Sequence, residues 1–278
     1  MGSRSRVNRI LLLLVAALGL AVWLAPPQAP LAPEPLTRRQ PGEIQQITLR
    51  NRNGTDLALE RRADGWWMIR PYRVRANPAR IELLLGILTT PSHESFPVPD
   101  DLGPFGLQEP AARLTVDGLQ IEMGGTHPYN HDRYLRIGDR IHLIKDLFPH
   151  HLLAAAEAYV SPELLPAGAE IQFIETPDWK LWRDPDGSWR LTPSPRDLSQ
   201  DPLVARAQAW RQARALQVMA APPAAPAGGL VSIGLAGGDP PIRFELLKRD
   251  GDTLLIRRTL GLAYRLPPAS PLLSTPGD

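Results

Sequence analysis

An eight-residue stretch that occurs twice limits the possible folds of this chain more than any other feature. Asp64-Gly65-Trp66-Trp67-Met68-Ile69-Arg70-Pro71 returns 122 residues later as Asp186-Gly187-Ser188-Trp189-Arg190-Leu191-Thr192-Pro193, with four of eight positions identical. Self-similarity at so long a spacing means that one supersecondary unit is used twice. The flanks agree. Ile44 and Ile47 are mirrored by Ile171 and Ile174, and Asn77-Pro78 by Asp201-Pro202, each an N-cap followed by proline at the first helical position. Arg136 to Ile144 is mirrored by Arg257 to Leu266, a pair of short strands followed by a proline and leucines.

The first copy shows what the unit contains. Ile47 and Leu49, then Leu57 and Leu59, alternate with polar residues across Asn53-Gly54, the pattern of a hairpin with one buried face. Trp66 to Ile69 follows Asp64-Gly65 as a third strand. Ile81, Leu84, Leu85 and Leu88 then form one helical stripe, and four more short strands turn on Asp117-Gly118 and Gly138-Asp139. In the second copy the helical stripe is Leu203, Ala207, Trp210 and Ala213. The expected class is α+β, with two tandem mixed sheets at 43–165 and 166–272, one helix packed on each, and a disordered tail at 273–278.

The N-terminus carries a different signal. Arg4, Arg6 and Arg9 precede Ile10 to Ala25, 16 residues without charge, with Trp23 where an interfacial aromatic belongs. This predicts a transmembrane anchor at 10–25, with 1–9 cytoplasmic and the C-terminal bulk periplasmic, in a bacterial inner membrane. A cleaved signal peptide is the rival, but Pro27-Gln28-Ala29 is followed by Pro30, a poor start for a mature chain. Proline, 31 of 278 residues, gathers at Pro26 to Pro41 and Pro222 to Pro226. The segment 26–42 is therefore expected to be a polyproline-like stalk, and 222–226 a linker.

Charge and residue types narrow the chemistry. Without the three N-terminal arginines, 28 basic residues face 29 acidic ones, so bulk charge gives no support to a nucleic-acid partner. The arginines between Arg50 and Arg80 read as solvated strand faces. There is no cysteine, hence no disulfide, thiolate metal site or thiol nucleophile. His127 and His131 flank a Pro-Tyr-Asn turn, and neither they nor His142, His150 and His151 fall in a helical zinc pattern. Asp100-Asp101 reads as a turn. No G-x-S-x-G, P-loop or G-x-G-x-x-G occurs, so no catalytic, cofactor-binding or metal-ligating residue is assigned and the protein is expected not to be an enzyme.

The tryptophans mark candidate surfaces. On a regular strand Trp67 and Ile69 share one face and Trp66 and Met68 the other, while Trp189 and Leu191 repeat the first pair. Trp67 and Trp189 are thus expected in the core. Ser188 and Arg190 stand where Trp66 and Met68 would, so Trp66, Met68 and Tyr72 become a candidate partner-facing patch, the bland reading being that they pack under a loop or against the other repeat.

Anchor, paired strands, a D-G-x-W strand ending in proline, a capped helix, Phe105-Gly106-Leu107 to Pro110 and Tyr134 to Arg136 follow one another in an order that resembles DUF4340, a domain of unknown function. The resemblance extends over most of Ile44 to Pro271, although the second copy has the Ala- and Pro-rich 220–229 where an F-G-L-x-x-P would fall. It implies a membrane-anchored protein, in some members associated with ABC-type transport or gliding motility, and supplies no catalytic residues. Three functions follow as expectations. The first is a non-catalytic scaffold or accessory subunit of an envelope transport or motility assembly, with a multi-span membrane protein or ABC-type transporter as partner. The second is a module binding a small ligand or glycan at the seam between the repeats, which a cleft lined by Trp and Arg would mark. The third is an enzyme with an unrecognised site.

Overall fold

The computed structural model describes residues 12, 14–17, 19, 20, 34–193, 198–223, 228–237, 240–249, 251–268 and 270–277, and in it both copies form sheets of one topology. The first sheet contains β1 (Gln46–Asn51), β2 (Asp56–Arg62), β3 (Gly65–Arg70), β4 (Val74–Arg75), β5 (Glu94–Pro97), β6 (Ala112–Val116), β7 (Leu119–Thr126), β8 (Arg133–Ile137) and β9 (Arg140–Ile144), ordered β4-β3-β2-β1-β6-β7-β8-β9-β5. The second contains β10 (Ile171–Glu175), β11 (Lys180–Arg183), β12 (Trp189–Thr192), β13 (Gln217–Ala220), β14 (Leu230–Leu235), β15 (Ile242–Arg249), β16 (Asp252–Arg257) and β17 (Leu262–Arg265), ordered β12-β11-β10-β14-β15-β16-β17-β13. The two orders are the same once β4 is set aside.

All strand pairings described are antiparallel, which corrects the expected mixed sheets. Tight turns at Asn53-Gly54, Asp117-Gly118 and Gly138-Asp139 allow only antiparallel neighbours, and the connection bearing the helix carries the chain from one sheet edge to the other. Helix α1 (Pro78–Leu85) is capped by the Asn77 side chain, which accepts from the Arg80 N–H, and buries Ile81, Leu84 and Leu85. A short helical turn, α2 (Pro149–Leu152), follows the first sheet. Helix α3 (Gln200–Arg211) begins after Ser199, earlier than the Asp201-Pro202 signal, so Pro202 sits inside its first turn. That is permitted because the first N–H groups of a helix have no intrahelical acceptor.

The repeated octapeptide occupies equivalent strands, but its faces are not equivalent. In the second copy the register runs evenly, Lys180 opposite Thr192 and Leu181 opposite Leu191. In the first, Ala58 faces Arg70 but Leu59 faces Met68, so Ile69 is an extra, bulged residue. A one-residue bulge turns every side chain before it to the other face. Met68, fully buried, therefore takes the place of Leu191, and Ile69 is 36% exposed. Trp66 takes the place of Trp189: both are half-buried against the core. The backbone agrees, because the Trp66 carbonyl accepts from the Ala76 N–H at 2.9 Å and the Trp189 carbonyl accepts from the Gln200 side-chain amide at 3.0 Å. Trp67 points outward. The expectation that Trp67 is a core residue is overturned, and Trp189 is only half-buried.

The F-G-L-x-x-P motif has a packing role. A 3-10 turn at Gly103–Phe105 leads into Gly106 (φ 62°), and the loop lies directly on β7. Phe105 meets Tyr134 edge to face at 5.1 Å and, with Phe96, covers a small second core of Leu107, Tyr134, Ile141 and Leu143. Gly124 is where the loop touches down. A Cβ there would stand 2.3 Å from the Phe105 carbonyl and 2.8 Å from the Leu107 side chain. Gly124→Ala is expected to lower stability by about 1–3 kcal/mol by forcing the loop off the sheet. Thermal unfolding would show it, and a variant as stable as the parent would mean that the loop is not held there.

Residues 159–165 stitch the copies together. On one side the Asn77 N–H donates to the Tyr159 carbonyl at 2.8 Å and the Ser161 N–H to Arg75 at 2.9 Å. On the other, the Leu164 N–H donates to Ala213 at 3.2 Å and the Ala215 N–H to Pro162 at 2.8 Å. Buried residues of both copies form one continuous cluster, so the repeats share a core rather than making two domains.

Both ends of the ordered region extend further than expected. Of the proposed stalk, residues 35–42 are folded: Pro35 bridges to Pro91, Leu36 is buried, and the Leu36 and Thr37 N–H groups donate to Thr90 and Leu88. A short backbone ladder with one anchoring leucine outweighs the proline content there. The tail is not disordered through 277, since Leu272 is buried and the carbonyls of Leu272 and Leu273 accept the indole N–H groups of Trp210 and Trp179, each at 3.0 Å. The expected anchor at 10–25 and the rest of the stalk lie mostly outside the described residues. Leu12, 14–17, 19 and 20 are helical and exposed, and no helix among the described residues is long and apolar enough to cross a membrane. Residues 224–227 of the second proline-rich segment also lie outside.

Candidate functional site

The three residues singled out as a partner patch do not form one. Met68 is core, placed there by the Ile69 bulge. Tyr72 packs against the shared core and donates its hydroxyl to the Glu157 carboxylate, and its ring comes within 3.8 Å of where a Cβ on Gly261 would stand, so it fills space between the copies. Burial, reinforced by Glu157, pushes its pKa well above the usual phenol value. Trp66 alone borders open space, in a cleft at the seam.

Trp67, expected inside, is held outside by charge. Its indole N–H donates to Asp64 at 2.9 Å, and the guanidinium groups of Arg62 and Arg75 lie over the ring at 5.0 and 5.8 Å. Arg75 also ion-pairs Asp64 at 2.8 Å. The hydrogen bond from Arg75, then that from Trp67, holds the Asp64 carboxyl below its ordinary pKa.

Two clefts flank the stitching segment. One, of about 510 Å³, is walled by Trp67, Arg73, Arg75, Leu164, Leu165, Arg257 and Tyr264 among others. The second, of about 550 Å³, is bordered by Arg61, Trp66, Glu82 and Arg214. Asp64, Arg75, Ser161 and Glu163 belong to both, so the segment divides one groove into two compartments. Both volumes lie in the range of small-molecule sites.

The larger question of charge is decided in the first cleft. Leu255, Arg257, Leu262 and Tyr264 share the inward face of β16 and β17. Burial drives the Arg257 pKa below its usual value, with Tyr264 acting weakly the other way, and burial raises that of Tyr264. Sequence reasoning missed Arg257 of β16, Tyr264 of β17, and Ser161 and Glu163 of the stitching segment. Repeat position gave no signal, because by strand register Arg257 stands where the first copy has Ile137 and not, as the sequence match suggested, Arg136.

The other titratable groups have local roles. Among the described residues no cluster of three His, Asp or Glu is placed to hold a metal. His142 hydrogen-bonds Ser92 at 3.1 Å, and the Asp101 carboxylate accepts from the Gly103 N–H at 2.9 Å, a turn contact. His151 is buried, and its ring centroid lies 3.8 Å from that of His150 with the planes tilted by 45°. Burial, then His150 and Arg80, lowers its pKa to about 4.

Fold and site together define an α+β tandem-repeat protein, two antiparallel sheets on one core with a divided groove at their seam. The chain belongs to the family described as a domain of unknown function, DUF4340, whose model matches residues 66–221, more than half of its length. The match begins in β3 and ends just past β13, spanning the stitching segment, whereas Arg257 and Tyr264 lie beyond it. No curated protein and no solved structure matches the chain.

Proposed function

We propose that this protein is a non-catalytic, membrane-anchored accessory protein of the bacterial envelope that works by binding, and that the seam groove is its binding surface. The observation that carries this is the groove itself: Trp66, Trp67 and several arginines gather at the seam between the repeats. Indole faces and guanidinium groups together suit ligands and peptide segments with both apolar and polar character. The anchor rests on Arg4, Arg6 and Arg9 before an uncharged 16-residue run, which orients the sheets toward the periplasm. Membership in DUF4340, some members of which are associated with ABC-type transport or gliding motility, makes a multi-span transport protein the leading partner.

A photo-crosslinking residue at Ala167, in the wall of the first cleft, should form a discrete adduct in intact cells. The same residue at Leu147, exposed and outside both clefts, should not. No adduct at Ala167, or equal labelling at both positions, would remove the groove as the working surface.

A further inference from the structure

Arg257 is an arginine on an inward sheet face, and its surroundings do not supply the anion it calls for. Its neighbours on that face, Leu255, Leu262 and Tyr264, are buried. Among the described residues no carboxylate and no hydrogen-bond acceptor meets its guanidinium, and the Tyr264 hydroxyl likewise has no partner although the residue is only 4% exposed. Both line the 510 Å³ cleft. By strand register the first copy has Ile137 where the second has Arg257, so the inward arginine is particular to the second copy. On the neighbouring strand Glu245 faces Ile256 and pairs with Arg258 at 2.7 Å, so Phe244 is the residue beside Arg257 and that strand offers it no acid. A half-buried guanidinium and a hydroxyl that open on the cleft with no partner among the described residues are available to a ligand there.

The other walls say what kind of molecule that is. Arg75 is committed to Asp64, while Arg73 at the rim has no ion-pair partner among the described residues. Val160, Leu164, Leu165 and Leu260 supply an apolar wall, with Ser161 and Glu163 the further polar groups at the border shared with the second cleft. We infer that the first cleft binds a small amphipathic carboxylate, its head held by the Arg257 guanidinium and the Tyr264 hydroxyl and its apolar body lying along the Leu164–Leu165 wall. Guanidinium suits a planar carboxylate because it offers two parallel N–H donors. The inference rests on the groove being the working surface and adds the chemistry of what enters it.

The test uses the full chain in neutral phosphatidylcholine nanodiscs, titrated with 2-naphthoate, with the uncharged 2-naphthamide and with inorganic phosphate, followed by calorimetry. One saturable naphthoate site is expected, with naphthamide weaker by about tenfold or more, the size of one charge-assisted hydrogen bond. Arg257→Gln should reduce naphthoate affinity to about that of naphthamide and leave naphthamide unchanged, and Tyr264→Phe should reduce it by a smaller factor. Equal affinity for the two naphthyl compounds in the parent protein overturns the inference, and needs no variant to fold. So does a folded Arg257→Gln that binds naphthoate as well as the parent. Phosphate binding as tightly as naphthoate would remove the apolar half. If Ala167 still yields its adduct while naphthoate fails, the ligand class falls and the groove stands.

Discussion

Met68→Arg is expected to unfold the protein, whereas Ile69→Arg, one residue along the same strand, leaves it folded. Met68 has no exposed surface and lies opposite buried Leu59, so an arginine there places an unpaired cation in the shared core and loses a packed thioether. The cost, about 4 kcal/mol or more, approaches the ~5–15 kcal/mol that holds a typical domain together. Ile69 is the bulged residue and partly solvated, so its change should cost about 1 kcal/mol or less. The second copy should behave oppositely at the aligned position, because Leu191, which matches Ile69 in sequence, is buried and opposite Leu181. Leu191→Arg should therefore be as damaging as Met68→Arg. Circular dichroism on the three variants decides it. A folded Met68→Arg would mean that β3 lies in the other register and that Met68 and Trp66 form an outer patch after all.

Trp210→Ala carries the next largest expected loss. Trp210 is fully buried on α3, and its indole N–H donates to the Leu272 carbonyl, fastening the C-terminal segment to the helix. Truncating a large core aromatic costs about 3–5 kcal/mol, and the buried carbonyl left without its donor adds about 1 kcal/mol. Two comparisons separate these contributions. Trp210→Phe keeps most of the ring and loses only the donor, so it should cost less than half as much. Trp189→Ala, at a half-buried ring, should also fall well below it. Urea unfolding gives the three values, and proteolysis of Trp210→Ala should cut residues 270–277 first. A loss under about 1 kcal/mol for Trp210→Ala would show that α3 does not bury this ring beneath the C-terminal segment.

These contrasts show where a sequence can be read and where it cannot. The recurrence of the octapeptide, the alternating strands and the capped helices are local patterns, each set by a few neighbouring residues, and they determined that the chain is α+β and built twice. Family membership, too, followed from motifs that fix turns and packing: Gly124 and Phe105-Gly106-Leu107 meet because only a glycine allows the loop to approach. Strand direction was less legible, since an antiparallel sheet follows only after the crossover is placed. Which face of β3 is buried depended on one bulged residue, Ile69, and a period of 2 has no memory of phase across a bulge. Trp67 and Met68 thereby exchanged roles. The ends were misread for a related reason, because the composition of 35–42 and 273–277 suggests unfolded chain while their order comes from Leu88, Thr90, Trp179 and Trp210, far away in sequence. The groove belongs wholly to tertiary structure. Trp67, Glu163, Arg257 and Tyr264 come from four separate segments, and an arginine without its acid becomes visible only when the space in front of it is known.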